Sequence, residues 1–363
     1  MINVIMSVYN AEQTLRDSID SLLEQTIQPS RIIIVDDAST DTTASILEAY
    51  SSSQIHVITN DVNQHVARSL NRAMEYLSDD CQYVARMDAD DICLPHRFSC
   101  QIGYFENNPC VDIIGSDVLE FSSKGTSIKK FPRTTEEMKA ALLFRCPFCH
   151  SSMMFRKRVF FLNRYDSALL GCEDHGLWAE LLWDQGLFAQ NLAEPLLKYR
   201  RHASQVTASS VGAPIKEILY NSMLERLGIV IPEDLRVPLF QFFSGDFSAL
   251  YRRTDRGLIC AVTFLVTAAK QQGRVMDRLF VDELLVKWLK YCRSLKSRRG
   301  MVEYLRLVLL LDVGSLRTAS VKQLFHDLGG PFRGLNGKVW TMGCGLLVCP
   351  ILTSKAIVRL DWK

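Results

Sequence analysis

A chain of 363 residues is too long for one small domain and long enough for a large α/β domain with a second region beside it. Its 48% apolar and 23% charged residues exclude wholesale disorder and a polytopic membrane protein. A net charge of only +2 leaves no footprint for nucleic acid as a partner. The opening Met1-Ile2-Asn3-Val4-Ile5-Met6-Ser7 runs straight into strand-like sequence, without a basic start, a long apolar stretch or a small-residue cleavage site, so a cytoplasmic protein is expected. Eleven cysteines at irregular spacings argue for reduced thiols in such a compartment. Cys146 and Cys149 form a Cys-x-x-Cys, but a structural zinc site calls for two more ligands at comparable spacing.

In chain order, Val4 to Val8, Arg31 to Val35, Gln54 to Ile58 and Tyr83 to Met87 read as strands separated by amphipathic stretches. In the first such stretch Leu15, Ile19, Leu22 and Leu23 recur at helical spacing, with Pro29 beyond the end. In the second, Ser39-Thr40-Asp41 offers N-cap candidates before Ile46, Leu47 and Tyr50. This alternation predicts βαβ units and a Rossmann-like, mostly parallel sheet. From about Cys110 to Tyr199 the runs Val111 to Ile114 and Ser151 to Phe155, with a helix from Asp174 to about Trp183, predict an antiparallel extension of the sheet and a further half beside it. After Val211-Gly212-Ala213-Pro214 the pattern becomes helical, as in Glu217 to Leu227 and Leu279 to Leu295. The expected division is therefore 1–212 and a mainly helical 213–363. Within that tail lie a basic cluster (Arg293, Lys296, Arg298, Arg299), the apolar run Leu305 to Leu311, and an uncharged stretch from Val339 to Ser354. The last is shorter than the roughly 18 residues of a spanning helix and is broken by Pro350. Peripheral membrane contact and ordinary core helices both fit these segments.

No glycine precedes Gly103, although all the predicted parallel strands do. A P-loop, a dinucleotide fingerprint and the Gly-rich loop of a nucleotidyltransferase are thereby excluded, since each needs glycines for close approach of backbone to phosphate. Carboxylates stand instead beyond the carboxyl ends of strands, where open α/β sheets bind ligands: Asp36-Asp37 after the second strand and Asp88-Ala89-Asp90-Asp91 after the fourth. Acids so close repel one another, and a divalent cation with hard oxygen ligands, Mg²⁺ or Mn²⁺, is the expected counter-charge. The competing readings are helix-capping acids for Asp36-Asp37 and a solvated turn for the second cluster.

The ordered set Ser7-Val8-Tyr9-Asn10, Val35-Asp36-Asp37-Ala38-Ser39-Thr40-Asp41, Arg86-Met87-Asp88-Ala89-Asp90-Asp91, Cys172-Glu173-Asp174 before Leu177-Trp178, and Tyr199-Arg200-Arg201-His202 resembles the family 2 glycosyltransferases of the GT-A fold. The resemblance covers about residues 2 to 210. It implies that Val8, Tyr9, Asn10 and Asp37, supported by Asp36, hold the uracil and ribose of a UDP-sugar, with Arg68 and Arg86 lining the nucleotide. Asp88-Ala89-Asp90 resembles the family's DxD motif, so Asp90 would ligate a metal bridging the diphosphate. Asp88 would contact ribose or metal, and His202 would complete the metal shell, its other reading being a surface histidine. Asp174 resembles the catalytic base of an inverting transfer, with Glu173, His150 and Trp178 on the acceptor side. The alternative for Glu173-Asp174 is a pair of acids favoured by a helix dipole. The acceptor would be a glycan or a lipid-linked hydroxyl in cell-surface polysaccharide assembly. At Asn63-Gln64-His65 the chain departs from the family's Asn-x-Gly, putting a costly side chain where a left-handed turn is expected. A catalytically silent sugar-nucleotide-binding or membrane-docking scaffold and a sugar-1-phosphate nucleotidyltransferase are the competing functions.

Overall fold

The computed structural model describes residues 1–50, 52–160, 163–202, 213–244, 256–272 and 278–294. Strands β1 (Ile2–Val8), β2 (Arg31–Asp36), β3 (Ile55–Thr59) and β4 (Tyr83–Arg86) fall on the four predicted runs and pair in parallel in the order β3-β2-β1-β4. Val4, Ile5, Met6 and Ile32 to Val35 are all fully buried. Both faces of β1 and β2 are therefore covered, which is why they read as continuous apolar runs, whereas β3 at the edge is largely exposed. Helices α1 (Leu15–Leu23), α2 (Thr43–Glu48) and α3 (His65–Met74) supply the cover through Leu15, Ile19, Leu22, Ile46, Leu47 and Leu70. The N-cap of α2 is Thr42, outside the predicted cluster, and its side chain makes no capping bond. The Ser39 and Thr40 hydroxyls are used on Asn10 instead, while Asp41 accepts from the Thr43 amide.

The second half lengthens the sheet. Its elements are β5 (Ile92–Cys93), α4 (Arg97–Asn107), β6 (Ile113–Ser122), β7 (Gly125–Lys129), α5 (Thr135–Leu142), β8 (Met154–Arg156), α6 (Glu173–Ala179) and β9 (Ala189–Arg200). Strand β8 runs antiparallel to both β4 and β6, whereas β9 runs parallel to β6 and carries β5 antiparallel at the far edge. The extension is thus mixed. The predicted strand Ser151 to Phe155 divides into a 3-10 turn, His150–Ser152, and β8, and the predicted helix from Asp174 divides into α6 and a π-helical turn, Glu180–Asp184. One buried cation staples the join: the Arg97 guanidinium donates to the carbonyls of Arg86 and Met153, both at 2.9 Å.

Helices α7 (Ala213–Arg226), α8 (Glu233–Ser244), α9 (Arg256–Gln272) and α10 (Arg278–Ser294) follow. Leu219, Met223, Phe242 and Trp288 share one apolar cluster with Leu143, Phe144, Cys172 and Ala179 of the sheet-bearing part. Each such large side chain contributes about 1.5–3 kcal/mol on burial. Arg145 adds a fork to Glu283, at 3.0 and 2.6 Å. No helix among the described residues is long and apolar enough to cross a membrane. The segments Lys296 to Leu311 and Val339 to Ser354 lie outside the described residues.

Candidate active site

The carboxyl ends of β1 and β2 make the first rim. The Asp37 amide donates to the Val8 carbonyl at 2.8 Å, extending the ladder past β2. Asp36 and Asp37 are buried, and each carboxylate finds nearby donors. Asp36 Oδ1 accepts from the Ser39 amide at 3.1 Å, and Asp37 Oδ1 accepts from Asn60 Nδ2 at 2.6 Å and from the Gln64 amide at 2.9 Å. Asn10 bends the end of β1 with φ +49° and exchanges bonds with Thr40, leaving Tyr9 about half exposed. Val8, Tyr9, Asn10, Asp36 and Asp37 thus meet on one rim, though the Val8 side chain itself is core. Arg68 is exposed on α3, the helix whose preceding residue, Gln64, serves Asp37. At its start His65 adopts φ +66°, the left-handed turn expected where relatives carry glycine.

The second rim lies beyond β4. Arg86 is fully buried and forms an ion pair with Asp88 from beneath. It therefore orients an acid from within the core and is not on the exposed rim where it was expected, since β4 is covered on both faces here. The Ser151 hydroxyl accepts from the Asp88 amide at 2.9 Å. Pairing of β5 with β9 then delivers the end of β9 to the same place. The Arg200 amide donates to Asp91 Oδ1 at 2.9 Å and its Nε to the Asp90 carbonyl at 2.8 Å. His202 Nε2 lies 2.9 Å from Asp90 Oδ2, both side chains partly exposed.

Carboxylate oxygens of Asp88, Asp90 and Asp91 lie within 4.8 Å of one another. Partial burial raises the Asp88 pKa against the pull of Arg86, with Asp90 and Asp174 adding to the rise. Asp91 is pushed well above the usual carboxylate range by burial, then by Asp88 and Asp90. Its Oδ2 is buried without a hydrogen-bond partner among the described residues. Three mutually repelling oxygen donors with one orphaned oxygen fit a hard divalent cation.

Asp174 lies in the first turn of α6. Its Oδ1 accepts from the His175 amide at 2.7 Å, and its Oδ2 faces the Cys146 thiol at 3.6 Å. The Cys146 thiol is pushed far up by burial and then by Asp174, while Cys149 is buried in the core. Cys146 thus faces Asp174 and Cys149 packs in the core. Glu173 sits behind, bonded to the Gly171 amide at 2.7 Å, its carboxyl pushed up to about 7 by burial and then by Asp174. His150 is held neutral by burial and by Arg86, and its Nε2 meets the Tyr165 hydroxyl at 2.8 Å. Trp178 is entirely core, stacked on Phe155 with ring centres 5.7 Å apart, and so presents no surface to an acceptor, contrary to expectation. Tyr165 is a site residue that sequence reasoning missed. Burial raises its hydroxyl, and the charges that act on it are Arg86, Asp174, Glu173 and Asp88. A reciprocal pair of bonds to Asn71, at 2.8 and 2.9 Å, fixes its backbone. It stands in irregular chain, where no motif or periodicity marks it.

The family model of Glycosyl transferase family 2 matches residues 3–162. The amylovoran biosynthesis glycosyltransferase AmsE of Erwinia amylovora is 30% identical over 212 residues, spanning 57% of this chain and 78% of AmsE. The Escherichia coli UDP-Glc:alpha-D-GlcNAc-diphosphoundecaprenol beta-1,3-glucosyltransferase WfgD is 28% identical over 209 residues, 58% of this chain and 80% of WfgD. Among solved structures, residues 1–349 of S. aureus TarS in complex with UDP-GlcNAc superpose with a TM-score of 0.56 at 16% identity, covering 84% of this chain and 89% of that one. At that identity the likeness shows the fold, which is GT-A.

Proposed function

Because the chain belongs to glycosyl transferase family 2 and is a glycosyltransferase, we propose that it moves a sugar from a UDP-sugar to a hydroxyl of a glycan or lipid-linked acceptor, inverting the anomeric configuration. The observation that carries this reading is the placement of two acidic rims, Asp36-Asp37 and Asp88 to Asp91, beyond the same ends of the two strands that flank β1, with Asp174 close enough to bear on the charge of Asp88. Val8 to Asn10 and Asp37 would hold uracil and ribose, Asp36 and Arg68 would support them, and Asp88, Asp90 and His202 would hold Mg²⁺ or Mn²⁺. When bound, that cation neutralises the charge gathering on the departing UDP. Asp174 takes the acceptor proton as the hydroxyl oxygen attacks the anomeric carbon, forming the new glycosidic bond while the bond to UDP breaks on the opposite side. The His175 amide and the Cys146 thiol hold the Asp174 carboxylate in place for that transfer, and Glu173 and His150 shape the acceptor side.

Residues 1–212 form the catalytic unit in this reading, and 213–363 serve the acceptor, at the cytoplasmic membrane surface. A lipid-linked acceptor is supported by the WfgD name, which specifies a diphosphoundecaprenol sugar. A UDP donor is supported by the same name and by the UDP-GlcNAc complex of TarS. The test is calorimetric titration of UDP with Mn²⁺ and with EDTA, on wild type, Asp90→Ala and Asp174→Ala. Metal-dependent binding is expected in wild type, lost in Asp90→Ala and kept in Asp174→Ala, where turnover falls about 10²–10⁴-fold. No UDP binding under any condition overturns the donor assignment.

A further inference from the structure

Away from both acidic rims, the start of α4 meets β9 at a second cluster of donor atoms. His96 caps α4, and the Cys100 amide donates to the His96 carbonyl at 3.0 Å, which sets the two side chains on one face of the helix. Across from them stands Glu194 of β9, brought near because the Leu94 amide donates to the Leu196 carbonyl and Cys93 pairs with Leu197. His96 Nε2 lies 3.0 Å from Glu194 Oε1, and Cys100 Sγ lies 3.9 Å from Glu194 Oε2. All three donor atoms are within 4.8 Å of one another, and all three side chains reach solvent.

We infer that His96, Cys100 and Glu194 form a surface zinc site separate from the catalytic rims. The spacing fits. Tetrahedral Zn²⁺ with bonds of about 2.0–2.3 Å sets its donors roughly 3.3–3.7 Å apart, and the His96 and Cys100 separations, each to a different oxygen of the Glu194 carboxylate, lie close to that range on either side. The donor types fit as well. Imidazole, thiolate and carboxylate together select a borderline-soft ion, whereas the all-oxygen cluster at Asp88 to Asp91 selects Mg²⁺ or Mn²⁺. On binding, the Cys100 proton leaves to solvent, and the charges of thiolate and Glu194 carboxylate balance that of the ion. Water takes the fourth position. The consequence is mechanical: Glu194 precedes Arg200 and His202 on the chain segment that reaches Asp90 and Asp91, so the ion fastens that segment to α4.

An ordinary His96–Glu194 ion pair with a bystander thiol is the competing account, and cobalt distinguishes the two. The full chain is titrated with Co²⁺ in excess Mg²⁺, and with Zn²⁺ against a chromophoric chelator. The expected result is one equivalent of tetrahedral cobalt with a thiolate-to-metal charge-transfer band, and matching zinc uptake. Cys100→Ser, His96→Ala and Glu194→Gln each weaken uptake beyond the roughly 10–100-fold that follows loss of an outer-shell partner. Cys260→Ser, which alters another exposed cysteine, and Asp90→Asn leave it unchanged. Absence of the charge-transfer band in wild type, or its survival in Cys100→Ser, overturns the site.

Discussion

The two acidic rims solve opposite problems. Around Asp36 and Asp37 the carboxylates are met by backbone amides and Asn60, and the difficulty lies in the backbone. Asn10, Ala38 and His65, the non-glycine residues with positive φ among those described, all flank this rim. Around Asp88, Asp90 and Asp91 the backbone carries no such residue, and the difficulty is electrostatic: two of the three acids are raised in pKa and one buried oxygen is orphaned. On the proposed reading, a first rim that takes the neutral donors of a base and ribose can be completed within the chain by twisting loops until amides point inward. A site meant for a cation cannot be completed that way, because amides placed there would remove the charge that recruits the ion.

Truncating one acid on each rim tests this contrast most severely. Asp37→Ala leaves the Gln64 amide without this acceptor and Asn60 Nδ2 with Ser69 Oγ alone, and a buried donor left unmet costs about 1–3 kcal/mol. Asp90→Ala relieves repulsion and removes only a partly exposed pair with His202, so stability should change by less than about 1 kcal/mol. Urea midpoints of the two variants without added metal give the comparison directly. Equal losses would mean that the second rim is as internally satisfied as the first.

Next in size is a pH effect at Glu173, the acid behind Asp174. Its folded pKa of about 7 stands above the ordinary 4.5, so the folded chain binds this proton more tightly than the unfolded one. The sign is the reverse of a salt-bridged carboxylate. Stability contributed here is full below about pH 4.5 and is lost as pH rises to about 7, a change on the order of 1–3 kcal/mol. Glu173→Gln keeps an acceptor for the Gly171 amide and should remove that slope. Unfolding free energies at pH 5 and pH 8 decide it: a wild-type-to-variant difference that does not vary with pH would discard the assignment.

How far the sequence revealed these rims follows from the same physics. Strands β1 and β2 were legible because both faces are buried and their apolar runs are continuous, while the edge strand β3 showed through its β-branched residues, its His56 and Val57 being exposed. β5, of two residues, and β7, exposed throughout, offer no such signal. The acids were legible as a motif, since residues adjacent in sequence share one strand end. The direction of a side chain was not, and that is why Arg86 and Trp178 were expected at the surface of the cleft and lie beneath it. Ser151 beneath Asp88, Cys146 beside Asp174 and Tyr165 held by Asn71 join partners 63, 28 and 94 residues apart. No local pattern encodes contacts of that kind.

The smallest expected effect concerns the first rim's backbone. At φ +66° His65 holds a conformation that disfavours a side chain, yet the turn it completes directs the Gln64 amide onto Asp37 Oδ1. Such a residue costs about 1–2 kcal/mol relative to one free of Cβ. Glycine in its place recovers this but gives up some through the freer unfolded chain. His65→Gly should therefore gain a net ~0.5–1 kcal/mol while leaving UDP affinity within about twofold, and His65→Val should lose stability because a β-branched side chain tolerates positive φ least. A gain in the valine variant would show that the turn relaxes away from positive φ. In that case the strain at the donor rim would not be what holds Gln64 against Asp37, and the division between a strained rim and a charged one would have to be drawn elsewhere.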